Sequence, residues 1–243
     1  MQCSRETNNV YEAIILAGGF GTRLREAVPD LPKPMAPIAN KPFLAWQLDY
    51  LMQLGVRRFI LSVGYKALTI RDYFGDEYQG AEIVYAEETE PLGTGGAIQF
   101  ALTKATHARV FVLNGDTLCA TDFGALRALT NSHPHAVGIA VKHVDNAGRY
   151  GAIAFDEKTR LVTRFGEKSS ANPGFINAGI YDVPANLFDD TVIATPFSFE
   201  VSVIQHLVGD SLYAEVSGDF FIDIGIKEDF LNAQTLIPAF VEQ

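Results

Sequence analysis

Three glycines in four positions, Gly18-Gly19-Phe20-Gly21, follow the apolar run Ala13-Ile14-Ile15-Leu16-Ala17 and lead into Thr22-Arg23-Leu24. Such a segment turns tightly and presents backbone N–H groups to an anion. Two common phosphate loops are excluded. G-x-G-x-x-G needs a glycine where Leu24 stands, and no G-x-x-x-x-G-K-[ST] occurs. Arg23 sits just past the glycines, and Lys33 lies in Pro32-Lys33-Pro34, where two prolines stiffen the flanking backbone. A cation held in that way beside a glycine-rich turn can stabilise the departing half of a triphosphate. Asn114-Gly115-Asp116 closes a second apolar run, and Phe220-Phe221-Ile222-Asp223-Ile224-Gly225 repeats the order of apolar strand, aspartate and glycine. A carboxylate ending a buried strand packs poorly but offers hard oxygens to Mg²⁺, and Asp116 and Asp223 together can share one ion.

Smaller groups add to this set. Pro91-Leu92-Gly93-Thr94-Gly95-Gly96-Ala97 opens a helix with small residues, so that a flat ring can approach its backbone. Phe165-Gly166-Glu167-Lys168 places a lysine at a strand end, while Tyr150-Gly151, Asn177-Ala178-Gly179 and Ser198-Phe199-Glu200 carry polar groups suited to sugar hydroxyls. His107, His133, His135, His143 and His206 fall outside these motifs, and none pairs with an obvious serine or cysteine nucleophile.

The elements that position these residues follow from apolar periodicity. Strands are expected at 13–17, 58–63, 82–86 and 109–113, separated by helices at 43–54, about 68–74 and 96–104. That β-α-β-α-β rhythm implies a mostly parallel sheet with helices on both faces. The closely spaced apolar stretches 136–144, 152–155, 162–167 and 175–181 read as antiparallel additions. A helix over 200–207, a strand over 220–222 and a closing helix after Gly225 complete an α/β domain whose second half is expected to wall over the first.

Composition narrows the class. With 243 residues, 48% of them apolar and no run long enough for a bilayer, one soluble domain is expected. The polar start lacks a hydrophobic signal core, which points to the cytoplasm. Cys3 and Cys119 form neither a disulfide framework nor a four-ligand zinc site. A net charge of −10 speaks against a nucleic-acid surface, yet residues 17–41 hold Arg23, Arg25, Lys33 and Lys41 against Glu26 and Asp30, a local +2. A small anion held at one point fits that imbalance.

Leu16-Ala17-Gly18-Gly19-x-Gly21-Thr22-Arg23-Leu24 with Pro32-Lys33-Pro34 resembles the signature of the sugar-1-phosphate nucleotidylyltransferases. The similarity continues in order through Pro-Leu-Gly-Thr-Gly-Gly, Asn-Gly-Asp, Glu-Lys, Asn-Ala-Gly, Ser-Phe-Glu and Phe-x-Asp-Ile-Gly, from about residue 12 to 232. Within the family the chain is similar to the short, single-domain guanylyltransferases. The resemblance implies one Rossmann-like domain over 1–243, a mostly parallel mixed sheet flanked by helices, with no room after Gly225 for the left-handed β-helix of longer relatives.

It also implies roles. Leu16, Ala17, Gly18, Gly19, Gly21 and Thr22 would cradle the nucleotide with Pro91, Gly93 and Thr94. Arg23 and Lys33 would bind its phosphates, and Asp116 and Asp223 would hold Mg²⁺. Lys168 would grip the sugar phosphate, with Asn114, Tyr150, Gly151, Glu167, Asn177, Gly179 and Glu200 around the sugar. The implied reaction joins GTP and a sugar 1-phosphate, read as D-glycero-α-D-manno-heptose 1-phosphate, into a GDP-sugar for cell-surface polysaccharide. No nucleic acid or membrane takes part, and the domain is of a size that forms homodimers.

Base choice rests on a separate argument. Glu88, in Glu87-Glu88-Thr89-Glu90, lies on the expected base-binding edge, and a carboxylate accepts two hydrogen bonds, matching guanine N1–H and N2–H. Uracil and thymine offer one such donor. The alternatives are transfer to mannose 1-phosphate or glucose 1-phosphate, the latter with UTP or dTTP. Two other classes stand beside them: a nucleotide-sugar-binding regulatory subunit, and a dinucleotide-dependent oxidoreductase, against which Leu24 and the Pro-Lys-Pro loop argue.

Overall fold

Ala13, Ile15 and Ala17 enter one hydrophobic core and Ile14 another. The first strand is therefore covered on both faces, which is why its sequence is continuously apolar rather than alternating. In the computed structural model, residues 10–19, 31–149, 151–167, 172–225 and 227–242 are described. The first half runs β1 (Tyr11–Leu16), the hairpin β2 (Pro37–Ile38) and β3 (Lys41–Pro42), α1 (Phe43–Gln53), β4 (Val56–Val63), α2 (Ala67–Phe74), β5 (Glu77–Tyr78), β6 (Ala81–Glu87), α3 (Gly93–Leu102) and β7 (Arg109–Asn114). The second half continues with β8 (Thr117–Cys119), α4 (Phe123–Asn131), β9 (Val137–Val144), β10 (Ala152–Phe155), β11 (Val162–Glu167) and β12 (Gly174–Pro184). A π-helical turn over Glu200–Ile204 leads into α5 (Gln205–Leu207), then β13 (Leu212–Val216), β14 (Phe221–Asp223) and α6 (Lys227–Val241).

Four parallel strands form the centre in the order β7-β1-β4-β6. Strand order reverses at β1, because β4 and β6 lie on one side of it and β7 on the other. In an open α/β sheet that switch point, at the carboxyl ends of the strands, is where ligands bind. Residues from α1, α2 and α4 join the core on one face and residues from α3 and the π-helical turn join the other, while α6 packs with Phe43 and Trp46 of α1 over Leu118 and Ile222.

The second half differs from the expected wall. Instead of lying over the first half, β12 pairs antiparallel with β7, placing Ile180 opposite Leu113, and extends the same sheet. An edge left open at β7 would expose a row of unpaired backbone groups, and β12 satisfies them. The remaining additions are antiparallel as anticipated, with β9 and β10 on β12 and β11 on β10. The unanticipated β13 pairs parallel with β9. Across β12, Asp182 is fully buried and takes Arg109 Nε at 3.1 Å and Arg127 Nε at 3.0 Å, tying that strand to β7 and α4. Among the described residues, no helix is long and apolar enough to cross a membrane.

The amino end of the sheet is pinned by another buried acid. Glu12 has no exposed surface and accepts the backbone N–H groups of Thr106 and His107, both at 2.9 Å, together with the Arg58 guanidinium. Burial pushes its carboxyl up, but the backbone donors and Arg58 outweigh that, so it stays below the ordinary glutamate range. A depressed folded value contributes stability above the unfolded value of about 4.3 that is lost as pH falls through the folded one. Glu12→Gln is expected to cost about 3 kcal/mol at pH 7 by turning an amide N–H toward these donors. The variant's stability should also fall less steeply than wild type below about pH 4.3, as urea denaturation across pH will show.

Candidate functional site

Leu16 of β1 lies level with Ser62 of β4 and Asn114 of β7, so the segments that follow these strands open on one side of the sheet. Ala17 N donates to Ser62 O at 2.8 Å and Gly115 N to Leu16 O at 3.1 Å, binding the start of the glycine segment between its neighbours. Ala17 is buried, Gly18 half-buried and Gly19 exposed, so the turn rises toward solvent at its second glycine. Gly21, Thr22 and Arg23 lie outside the described residues.

Lys33 reaches this opening from a 3₁₀ turn over Lys33–Met35. Pro34 and Met35 are buried beneath it, and Met35 N donates to Pro32 O at 2.8 Å. The turn is thus anchored by its apolar residues while the lysine points out. Its Nζ lies 2.5 Å from Asp116 Oδ2 and 3.8 Å from Asp223 Oδ1. Asp116 lies in the turn between β7 and β8, whereas Asp223 arrives from far along the chain because β14 pairs antiparallel with β8, setting Asp223 opposite Thr117. Ile224 N then donates to Asp116 O at 3.0 Å, joining the two aspartate segments through the backbone.

The three charged groups are unevenly exposed: the side chains retain 15% of their surface for Lys33, 34% for Asp116 and 17% for Asp223. Burial and the nearby Asp116 charge push the Asp223 carboxyl above its ordinary range, against the Gly225 N–H and Lys33. A Cβ on Gly225 would come within 2.5 Å of Lys33 Nζ and 2.8 Å of Asp223 Oδ1, so a side chain there would push these charged groups from their present places. An ammonium drawn between two hard carboxylates shows that the pair attracts a cation, and its oxygens have the donor chemistry that suits Mg²⁺. No group of three or more acidic, His or Cys ligands occurs among the described residues, so an ion held here would take further ligands from substrate or water.

Glu88 stands beside the glycine turn at the end of β6. A side chain at Gly18 would come within 2.9 Å of Glu88 Oε1. Its Oε2 accepts Leu92 N–H at 3.0 Å, and Ser62 Oγ lies 3.3 Å from Oε1. Glu88 therefore also fixes the entry to α3, and each oxygen keeps a lone pair free. That helix begins at Gly93, three residues earlier than expected. A flat ring does approach its small residues, but it belongs to the chain itself. A Cβ at Gly95 would fall 2.1 Å from Phe197 Cε2, and Gly95 N donates to Phe197 O at 2.9 Å. Pro91, Gly93 and Thr94 are exposed at this end, with Thr94 Oγ1 accepting Phe199 N–H at 2.9 Å.

A polar cluster lies along the antiparallel strands. Asn177 Nδ2 donates to Glu200 Oε1 at 2.7 Å and to Tyr181 Oη at 2.6 Å, and Gly179 N donates to Asn177 Oδ1 at 2.9 Å. The β12–β9 register shifts between Asn177 and Tyr181, and Gly179 there takes φ +73°. Glu200 opens the π-helical turn, a rare geometry frequent at functional sites. Asn114 borders this cluster through Gly179: a Cβ on Gly179 would come 2.6 Å from Asn114 Nδ2. Gly151 and the backbone of Glu167 are brought together by the β10–β11 hairpin, which sets Ala152 opposite Glu167. Tyr150 and Lys168 lie outside the described residues.

Tyr181 was not anticipated from sequence. It is four residues beyond Asn177 on the same strand, a spacing that shares a face, and that periodicity was the available signal. Burial, then the Glu200 carboxylate, push its phenol well above the usual range, so it stays a neutral donor and acceptor.

Comparison with known proteins now bears on this geometry. The profile of the family described as nucleotidyl transferase matches residues 12–239. D-glycero-alpha-D-manno-heptose 1-phosphate guanylyltransferase of Campylobacter jejuni is 42% identical over 221 residues, covering 91% of this chain and 97% of its own. The protein of the same name from Aneurinibacillus thermoaerophilus is 40% identical over 95% of this chain and all of its own length. Among solved structures, HddC from Yersinia pseudotuberculosis complexed with GMP-PN superposes with a TM-score of 0.80 at 38% identity, covering 92% of this chain and 98% of that one.

Proposed function

This chain belongs to the nucleotidyl transferase family, and from that membership we propose that it is a guanylyltransferase acting on D-glycero-α-D-manno-heptose 1-phosphate. A sugar 1-phosphate oxygen attacks the α-phosphorus of GTP in line, GDP-sugar forms, and pyrophosphate leaves. The attacking phosphate has a second pKa of about 6, so it is largely dianionic at neutral pH and needs no protein base. The protein's task is to bring two anions together and neutralise charge as the transition state forms. The observation that carries this reading is the Lys33 ammonium held by Asp116 and Asp223 at the switch point, where Gly115 N–H meets Leu16 O just before the glycine segment.

Leu16, Ala17, Gly18, Gly19, Gly21 and Thr22 cradle the nucleotide in this reading, with Pro91, Gly93 and Thr94 on its flank. Arg23 and Lys33 bind the β- and γ-phosphates, and Lys168 grips the sugar phosphate. Asn114, Tyr150, Gly151, Glu167, Asn177, Gly179 and Glu200 receive the sugar, with Tyr181 orienting Asn177 and Glu200. Members of this family generally use a divalent metal, and we assign Mg²⁺ to Asp116 and Asp223. When bound, it supplies positive charge at the α-phosphate. Glu88 accepts guanine N1–H and N2–H on the lone pairs that Leu92 and Ser62 leave free.

The test is pyrophosphate release with Mg²⁺, crossing GTP, UTP, dTTP, CTP and ATP with heptose, mannose and glucose 1-phosphates. Release confined to GTP and the manno-heptose is expected. Glu88→Gln should lower kcat/KM for GTP about 10- to 100-fold, the loss expected for a charged hydrogen-bond acceptor, and so narrow the margin by which GTP is preferred over UTP. Preference for UTP or dTTP would overturn the Glu88 assignment. No release from any pair, in protein that still binds nucleotide, would overturn the enzymatic reading itself.

A further inference from the structure

Gln47 lies in the second turn of α1, fully buried, and belongs to none of the sequence motifs considered above. Its Nε2 donates to Asn114 O at 2.9 Å and to Thr117 O, also at 2.9 Å. These carbonyls bracket the Gly115-Asp116 turn: Asn114 ends β7 and Thr117 begins β8. One amide group thus spans the base of the two-residue segment that presents Asp116. Thr117 is also the residue paired with Asp223 across the β8–β14 ladder, so the same contact fixes the strand carrying its partner aspartate.

The chemistry of the residue is matched to that place. Both carbonyls need donors, and a primary amide supplies two N–H groups from one nitrogen. Flipping the amide would turn its oxygen toward two carbonyl oxygens, so the orientation is set by the turn. The cost falls on Oε1, which is buried and meets no hydrogen-bond donor among the described residues. A leucine or methionine would fill a similar volume with no unsatisfied oxygen. The amide therefore serves the turn rather than the packing of α1. Trp46, its buried neighbour, makes the contrast: its indole N–H donates to Ile38 O at 3.0 Å, and it meets the strands near the aspartates only through apolar packing on Leu118 and Ile222.

We propose that Gln47 is a positioning residue for the cation site, setting the Asp116 carboxylate through the two carbonyls on either side of it. This inference rests on the proposed guanylyltransferase reading. Groups that orient metal ligands typically change metal affinity or activity about 10- to 100-fold when removed.

The test compares Gln47→Met with Trp46→Phe, both substitutions within α1. Each protein is followed by circular dichroism, by Mn²⁺ affinity from electron paramagnetic resonance with a non-hydrolysable GTP analogue, and by steady-state kinetics. Gln47→Met is expected to weaken Mn²⁺ binding and lower kcat, each by about 10-fold or more, with KM for the sugar 1-phosphate unchanged. Trp46→Phe is expected to lower thermal stability and leave Mn²⁺ affinity unchanged. Equal Mn²⁺ affinity in wild type and Gln47→Met, or equal losses in both variants, would overturn the inference. If Gln47→Met does not fold, Gln47→His, which keeps one ring N–H, decides by the same comparison. Wild-type protein inactive with every substrate pair would instead overturn the functional reading, and so the two failures are distinguishable.

Discussion

Lys33→Met is expected to slow pyrophosphate release about 10²- to 10³-fold, the range seen when one pre-placed group that stabilises transition-state charge is removed. The 3₁₀ turn beneath it should survive, because Pro34 and Met35 are buried there and the Met35 N–H bond to Pro32 O does not involve the Lys33 side chain. The ammonium lies against Asp116 and Asp223, so in the nucleotide-free protein it occupies ground that a divalent ion would also seek. Removing it frees both carboxylates, and Mn²⁺ affinity without nucleotide should rise while the rate falls. That opposition separates a phosphate-binding role from a purely structural salt bridge, whose loss would lower stability and leave the two quantities moving together. Lys33→Arg should recover little, since a planar guanidinium is larger than the ammonium it replaces. Single-turnover pyrophosphate release and Mn²⁺ titration of the same preparations check both halves of this expectation.

The central sheet was legible because its strands are buried on both faces. Runs such as Ile14-Ile15-Leu16 and Val110-Phe111-Val112-Leu113 have no polar face to disguise them, and the four parallel strands fall where these runs do. Strands of two or three residues have too little period to read, which is why β2, β3, β5 and β8 were invisible, whereas β14 showed through the adjoining apolar run Phe220-Phe221-Ile222. The strand β13 was missed for another reason. Leu212-Tyr213-Ala214-Glu215-Val216 is a weak pattern whose place is fixed by its parallel partner β9, a tertiary effect that outweighs local propensity.

Within the site, Lys33, Asp116 and Asp223 could be named because each breaks an apolar or proline-bounded context. That Asp116 and Asp223 share a site was expected from the repeated order of apolar strand, aspartate and glycine, but the antiparallel β8–β14 pair that brings residue 223 to residue 116 was not. Gln47 shows the limit most clearly. On the sequence it is one polar residue among Leu44, Ala45, Trp46 and Leu48, and only the fold reveals that it faces two strand-end carbonyls rather than solvent. Gly95 gave a false signal in part, because the space left by a missing side chain was taken by Phe197 of the same chain.

Asp223→Asn is expected to move activity and stability in opposite directions. Asparagine keeps the shape of the side chain and an oxygen to accept the Gly225 N–H, which now donates to Asp223 Oδ1 at 2.7 Å. The local turn should therefore persist, and the change is confined to one negative charge. Two unit charges about 4 Å apart interact by about 4 kcal/mol at an effective dielectric of about 20, so a divalent ion loses substantial attraction even after its own desolvation is counted. Half-saturation by Mg²⁺ should rise about 10²-fold, with a fall in kcat of at least about 10²-fold from the transition-state charge no longer stabilised. Stability has the other sign. Burial and the Asp116 charge hold the Asp223 carboxyl above its ordinary range. A group whose folded value is raised costs stability at every pH above its unfolded value, and that cost disappears below it. The neutral amide removes this cost at pH 7, so the metal-free variant should melt at or above the wild-type temperature. At about pH 3, where the wild-type carboxyl is itself protonated, the advantage should vanish. Paired scanning calorimetry at the two pH values and Mg²⁺ titration of pyrophosphate release test the argument together. A variant that melts well below wild type at pH 7 yet keeps its Mg²⁺ requirement would show that Asp223 serves the fold, and that Asp116 holds the ion without it.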